Sequence, residues 1–283
     1  MSQSGITEYL RPATLHEAWA YISGGDPKVK LLSGGADLTI NAPPEVTTLV
    51  DIGRVLDRAI HTGTDGAVHI GAGATLAEVL EHPSLAGYAS GVVPEMMVHV
   101  GSPLLRNFST IGGHLARGRL SDVVPVLIAL DAQVTAYRNR STIELSLAEY
   151  LAGRHNERPH ILTFVRLPAL DDPVAAAYLR IARTSFDFPI LNCCCRVDGS
   201  ADAVAGVHIV CGATPRVAER ANQAEAIIRE HGLNPSSIAE AGRVAGEEVP
   251  TGSGWVASAD YRSHLVEVLV GRCLTTVMER LPI

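Results

Sequence analysis

Two paired glycines carry the residue types best suited to chemistry in this sequence. One pair lies in Lys30-Leu-Leu-Ser-Gly-Gly-Ala-Asp-Leu38 and the other in Ser109-Thr-Ile-Gly-Gly-His-Leu115, each after an apolar run. A Gly-Gly pair after a strand frees backbone N–H groups to form a concave nest, because no Cβ blocks an approaching anion and a positive φ costs little. Two such nests could hold one diphosphate from two sides. Each charge-assisted hydrogen bond to phosphate contributes about 1.5–3 kcal/mol, so a handful would hold a dinucleotide without a lysine clamp. An isolated Gly-Gly pair is more often a plain turn. Neither loop follows G-x-G-x-x-G and no G-x-x-x-x-G-K-[ST] loop occurs, so Rossmann and P-loop sites lose their main support.

The remaining reactive side chains form no pattern. Cys193, Cys194 and Cys195 are contiguous, yet no Cys/His or Ser/His/Asp arrangement frames them, and core packing on a strand is the simpler role. Neither C-x2-C nor C-x4-C-x2-C spacing occurs, and the 11 histidines lack H-x3-H or H-E-x-x-H spacing. A metal ion or iron-sulfur cluster is therefore expected on another chain. Arg106 and Asn107 could position the second loop or touch phosphate, and His99 is an ordinary half-buried histidine or a neighbour of a bound ligand. No catalytic acid or base is assigned.

These residues need elements to hold them. Ser/Thr followed three residues later by Glu marks helix starts at Thr14, Thr75, Ser146 and Ser237. Strand-like runs lie at Val29 to Leu32, Thr48 to Ile52, Val68 to Ala72, Gln133 to Tyr137, Ile161 to Leu167 and Ala205 to Cys211. A Pro/Asp-rich turn at Pro168 to Pro173 marks a domain boundary, with residues 1–172 before it and 173–283 after it. Beyond it, Thr214 and Pro215 open a helix with Val217, Ala221, Ala224 and Ile228 on one face. A long final helix, about Ala259 to Arg280, keeps Val266, Leu269, Val270, Cys273, Leu274 and Val277 in a stripe.

Composition narrows the function classes. With 283 residues, 47% hydrophobic and 19% charged, the chain reads as an ordinary globular protein of one or two domains. Its net charge of -7 disfavours nucleic acid and anionic bilayers. The best apolar run, Val123 to Leu130, carries Pro125 and falls far short of the ~18 residues that span a membrane. No basic start precedes an apolar stretch at the N-terminus, so a cytoplasmic location is expected, with the five cysteines reduced.

The longer context of the second glycine pair, Val100-Gly-Ser-Pro-Leu-Leu-Arg-Asn-Phe-Ser-Thr-Ile-Gly-Gly-His-Leu115, with Asp122 and Leu127-Ile-Ala-Leu-Asp-Ala132 after it, resembles a stretch of the FAD-binding medium subunits of molybdenum hydroxylases. That family includes xanthine dehydrogenase and aerobic carbon monoxide dehydrogenase. The resemblance extends to Tyr9 and Pro12, the Leu32-Ser-Gly-Gly loop, Leu49-Val-Asp-Ile52, Ile70-Gly-Ala72, and Asp260 to Leu274. It implies an α+β fold: a two-subdomain FAD-binding domain of the PCMH/vanillyl-alcohol-oxidase type, split near 55–60, then a C-terminal domain with an antiparallel sheet and helices.

By the same resemblance, Leu32, Ser33, Gly34, Gly35, Ala36 and Asp37 wrap one side of the FAD diphosphate, and Thr110, Gly112, Gly113 and His114 the other. Asp122 would accept hydrogen bonds from FAD hydroxyls, Leu162 would pack on the cofactor, and Tyr178, Arg180 and Asp187 would lie near the isoalloxazine. The sequence departs from the family in three places. His114 replaces an asparagine, which leads us to expect pH-dependent flavin binding. The segment 114–122 is one residue shorter, and 37–44 lacks the family's basic stretch. The implied function is electron transfer: FAD takes electrons from iron-sulfur clusters of a small partner subunit, which drains a molybdenum-cofactor large subunit, and passes them to an external acceptor. A dimer of heterotrimers is expected. The alternatives are a scaffold subunit without FAD and a stand-alone flavoenzyme.

Overall fold

The computed structural model describes residues 5–118, 120–154, 159–170, 173–185, 187–214 and 217–282. Three sheets organise the chain. The first is parallel, in the order β1, β3, β2, and is built from β1 (Glu8–Leu10), β2 (Val29–Leu32) and β3 (Thr48–Asp51). Between these strands run α1 (Leu15–Ile22) and the single turn α2 (Leu38–Asn41). Thr14 caps α1 by accepting from Glu17 N, as the spacing predicted.

The second sheet is antiparallel, in the order β4, β5, β8, β6, β7. After β4 (Ile60–Thr62) and β5 (Val68–Gly71) comes a run of short helices, α3 (Leu76–Glu81), α4 (Pro83–Ala86), α5 (Val92–Met97), α6 (Pro103–Phe108), α7 (Ile111–Arg117) and α8 (Val123–Ala129). The strands β6 (Gln133–Arg138) and β7 (Ser141–Ser146), the turn α9 (Leu147–Glu149) and β8 (Ile161–Leu167) complete it. Reciprocal capping boxes open α3 at Thr75 and α9 at Ser146.

The third sheet holds β9 (Val174–Ile181), β10 (Leu191–Gly199), β11 (Val204–Gly212) and β12 (Ala218–Arg220), all antiparallel. Helices α10 (Asn222–His231), α11 (Pro235–Glu248) and α12 (Ala259–Arg280) back one face of it. Two sequence expectations are corrected here. The helix expected from Thr214 starts later: Ala218–Arg220 pairs as a strand with Val210–Gly212, and the helix starts at Asn222, with Pro215 outside the described residues. Ala221, Ala224 and Ile228 are nonetheless buried together. Ser237 is not a helix cap either. Asn234 caps α11 with Pro235 at its first position, a stronger start signal, and Ser237 Oγ closes that box by accepting from Asn234 N.

The third sheet is covered on both sides. Cys193, Cys195, Val207 and Ile209 face a core shared with α10, α11 and α12, whereas Ala176, Tyr178, Cys194 and Val210 join the core of the first two sheets. Alternation along the strand dictates this split. Arg280, in the last turn of α12, adds a bidentate pair to Glu95 on α5 at 2.9 Å and donates to Ala176 O.

Candidate functional site

Strand β2 ends at Leu32, and the chain leaves the carboxyl end of the parallel sheet through Ser33, Gly34 and Gly35, where open sheets of this kind offer ligand crevices. Gly35 has φ +78°, a left-handed conformation that costs glycine little. The Gly35 carbonyl turns inward and accepts from both Thr39 N (3.2 Å) and Thr39 Oγ1 (2.7 Å), which fixes the loop on α2. The amides of Ser33, Gly34, Gly35, Ala36 and Asp37 donate to no acceptor among the described residues. This half-buried loop therefore leaves its backbone donors open, the condition an anion nest requires.

The second glycine pair touches the first loop but works differently. A Cβ on Gly34 would stand 1.6 Å from Phe108 O, so the two segments approach backbone to backbone. Thr110 Oγ1 donates to Ser33 Oγ at 3.1 Å. The expectation of a second bare nest is corrected. Ile111 N donates to Ala74 O and Gly112 N to Ala72 O, both at 2.9 Å, Gly113 N donates to Thr110 Oγ1, and His114 N donates to Thr110 O. These amides are used by α7 and by the segment after β5, so this pair buttresses the first loop rather than mirroring it.

Sequence reasoning missed Arg117. One turn beyond Gly113 on α7, its Nε lies 3.4 Å from Asp37 Oδ1, and its guanidinium carbon is 5.5 Å from the centre of the Phe188 ring. Asp37 also accepts from Asn41 Nδ2. Arg117 makes no well-formed hydrogen bond among the described residues, so a partly buried cation with donors to spare stands against the nest. It offsets the charge of Asp37, which would otherwise repel phosphate. The signal was helical spacing alone, since Asp37 is distant in sequence.

His114 leads away from the nest. Its Nε2 is 2.6 Å from Ser121 Oγ. Burial first, and then the charge of Arg117, push its imidazole down to about 4 against an ordinary value of 6.5, with Asp37 opposing. The ring is therefore neutral at neutral pH, which places the pH dependence expected of it on the acid side. A depressed histidine favours the folded state at higher pH: its contribution is complete above pH 6.5 and is lost as pH falls toward 4. FAD release followed from neutral to acid pH is expected to show a His114-dependent phase only at the acid end. A neutral-pH midpoint that His114→Asn abolishes would refute this.

Asp122 is the next station. Only 5% exposed, it accepts from the Tyr178 hydroxyl and pairs with Arg180 Nε at 3.2 Å. Burial raises its carboxyl above the ordinary range, while Tyr178 and Arg180 draw it back. Asn192 Nδ2 donates to Ser121 O at 3.0 Å. Arg180 also donates to the carbonyls of His99 and Ser185 (3.3 Å each) and of Asp187. One oxygen of Asp122 is thus already engaged by the protein. Arg106 holds its own loop, donating to the carbonyls of Val98, Val100 and Gly101, and His99 lies 6.3 Å from the Tyr178 ring. Leu162 is 6% exposed within the core, paired with Ala136, and is not part of this polar seam.

The family described as the FAD binding domain in molybdopterin dehydrogenase matches residues 4–170, more than half of the chain. The chain belongs to that family. Residues 176–277 match the CO dehydrogenase flavoprotein C-terminal domain. The nicotine 6-hydroxylase medium subunit of Paenarthrobacter nicotinovorans is 28% identical over 282 residues, covering 94% of this chain and 95% of that protein. A xanthine dehydrogenase FAD-binding subunit of Escherichia coli O157:H7 is 25% identical, covering 95% of each. A carbon monoxide dehydrogenase chain from Hydrogenophaga pseudoflava superposes with TM-score 0.88 at 24% identity, covering 98% of this chain and 99% of that one. This FAD-binding medium subunit is thus an oxidoreductase component with the α+β fold expected of it. No helix among the described residues is long and apolar enough to cross a membrane.

The residues present fit FAD on one side of its diphosphate. The free amides of Ser33 to Asp37, at a loop with a left-handed glycine and an adjacent cation, are suited to a bridging phosphate.

Proposed function

We propose that the chain holds FAD through the Ser33–Asp37 loop and Arg117, and carries electrons from iron-sulfur clusters of a small partner subunit to a soluble acceptor. The clusters in turn drain a molybdenum-cofactor large subunit. The observation that carries the reading is the set of five unengaged amides beside an arginine. Leu32 supplies apolar surface near the cofactor. Thr110, Gly112, Gly113 and His114 keep the nest in place. Asp122, Tyr178 and Arg180 hold the carbonyls of Ser185 and Asp187 at the flavin end. FAD supplies a carrier able to hold two electrons, and the protein's part is to bind, orient and tune it. Residues 1–172 form the FAD-binding part, split near 55–60, and 173–283 the C-terminal part. The assembly is a cytoplasmic dimer of heterotrimers.

The test is purification of the chain with its co-eluting partners, followed by an absorption scan. A flavin band at about 450 nm, with molybdenum and iron in the co-eluting chains, is expected. Colourless protein that takes up no FAD would establish a scaffold instead, and substrate turnover by the isolated chain would establish a stand-alone flavoenzyme. A sharper test is Arg117→Ala. Loss of one charge-assisted contact to phosphate, about 1.5–3 kcal/mol, is expected to weaken FAD binding roughly ten- to hundredfold in a fluorescence titration. Unchanged affinity would remove Arg117 from the site.

A further inference from the structure

Sulfur atoms gather on one face of the third sheet. Cys193 and Cys195 are two residues apart on β10 and share a face, β11 sets Cys211 opposite Cys193, and α12 lies over that face and brings Cys273 to it. The Sγ atoms of Cys193 and Cys195 are 3.7 Å apart, and those of Cys193, Cys195 and Cys273 all lie within 4.8 Å of one another. All three residues are 0% exposed. Cys194, between two of them, faces the other core.

We propose that Cys193, Cys195 and Cys273 form a trigonal, all-sulfur site for a soft monovalent d10 ion of the copper(I) class. Three sulfurs about 2.3 Å from a central ion stand roughly 4 Å from one another, a spacing bracketed by the 3.7 Å pair and the 4.8 Å limit of this group. Softness selects the ion: the group offers only sulfur, and magnesium and calcium require oxygen ligands. Coordination number selects further, because structural zinc takes four donors, and Cys211, which contacts Cys193, does not lie within 4.8 Å of all three sulfurs. Charge bears on the protonation of the ligands rather than on the choice of ion. Three thiolates on a monovalent ion would leave two net negative charges, as four on a divalent ion would, so in a dry core at least one sulfur is expected to ligate as the neutral thiol. Binding releases one proton from each thiol that ligates as thiolate and changes no oxidation state. The ion would staple α12 to the strands it covers, as Cys273 Sγ already does by donating to Ala177 O at 3.0 Å.

The test uses the full chain, reduced and stripped by chelator, titrated without oxygen with copper(I) held by bicinchoninate. Withdrawal of one ion per chain is expected, with an X-ray absorption spectrum showing three sulfurs at about 2.3 Å and no nitrogen or oxygen. Cys273→Ala is expected to lower retention roughly a hundredfold, the upper end of what loss of even a supporting group costs a metal site. Cys194→Ala is expected to retain the ion, with circular dichroism confirming that both variants fold. Failure to withdraw copper(I), equal retention by a folded Cys273→Ala, a nitrogen or oxygen ligand, or a zinc complex that needs Cys211 would each overturn the proposal. Should Cys273→Ala not fold, the spectrum of the unaltered chain decides alone.

Discussion

Gly34→Ala is expected to purify with little or no FAD. The added methyl would lie 1.6 Å from Phe108 O and 2.7 Å from Phe108 C, backbone atoms that no side-chain rotation can move aside. The nest and the segment that buttresses it must therefore part. Overpacking of this kind costs about 1–3 kcal/mol or more, and most of the cost falls on the geometry that presents the amides of Ser33 to Asp37. FAD affinity should drop roughly ten- to hundredfold on the usual scale of 1.4 kcal/mol per decade. Gly24→Ala is the comparison, because nothing lies within 4 Å of its added methyl. Equal FAD content in the two variants, read from flavin absorbance per chain, would place the cofactor elsewhere.

The second large effect belongs to Asp122. Removing its carboxylate leaves the Arg180 guanidinium, whose side chain is 7% exposed, without its counter-charge, and leaves the Tyr178 hydroxyl without its acceptor. Breaking a buried pair from one side costs roughly 3–5 kcal/mol, against about 0–1 for a surface pair. Asp122→Ala should therefore unfold at markedly lower urea, and Asp122→Asn, which keeps an acceptor for Tyr178, should lose less. The double variant with Arg180→Ala should lose less than the sum of its parts, because the two side chains act on each other. Additive losses would show that the pair is not coupled.

Much of this architecture was legible in the sequence wherever a local rule decides the outcome. The cap at Thr14, the box at Thr75 and the strand Ile161–Leu167 follow from spacing and alternation, and the structure places each where the pattern did. Strand β9 is not among the strand-like runs read from sequence. Its Ala175, Ala176 and Ala177 are all buried, so no apolar/polar alternation appears, and alanine has little strand preference of its own. Strand β12 is three residues long and exists through its pairing with β11. The bend at Gly34 and Gly35, with its left-handed residue, was readable because glycine itself is the signal. The role of Gly112 and Gly113 was not, since the carbonyls that engage this segment, Ala72 and Ala74, follow β5, far from it in sequence. For the same reason no spacing rule could join Cys273 to Cys193 and Cys195. Metal motifs record ligands that are neighbours in sequence, and this group is assembled by a helix folding back over a sheet.

The third sheet, packed on both faces, has a bearing on how the flavin can be reached. Tyr178 and Cys194 are fixed in one core while the residues beside them are fixed in the other, and Arg280 pins the chain's last helix to Glu95. Units joined by a shared apolar layer do not swing about a hinge, in contrast to domains that meet over a small polar interface. The mount is rigid, so on the proposed function electron donors and acceptors come to a fixed prosthetic group by docking rather than through an opening cleft.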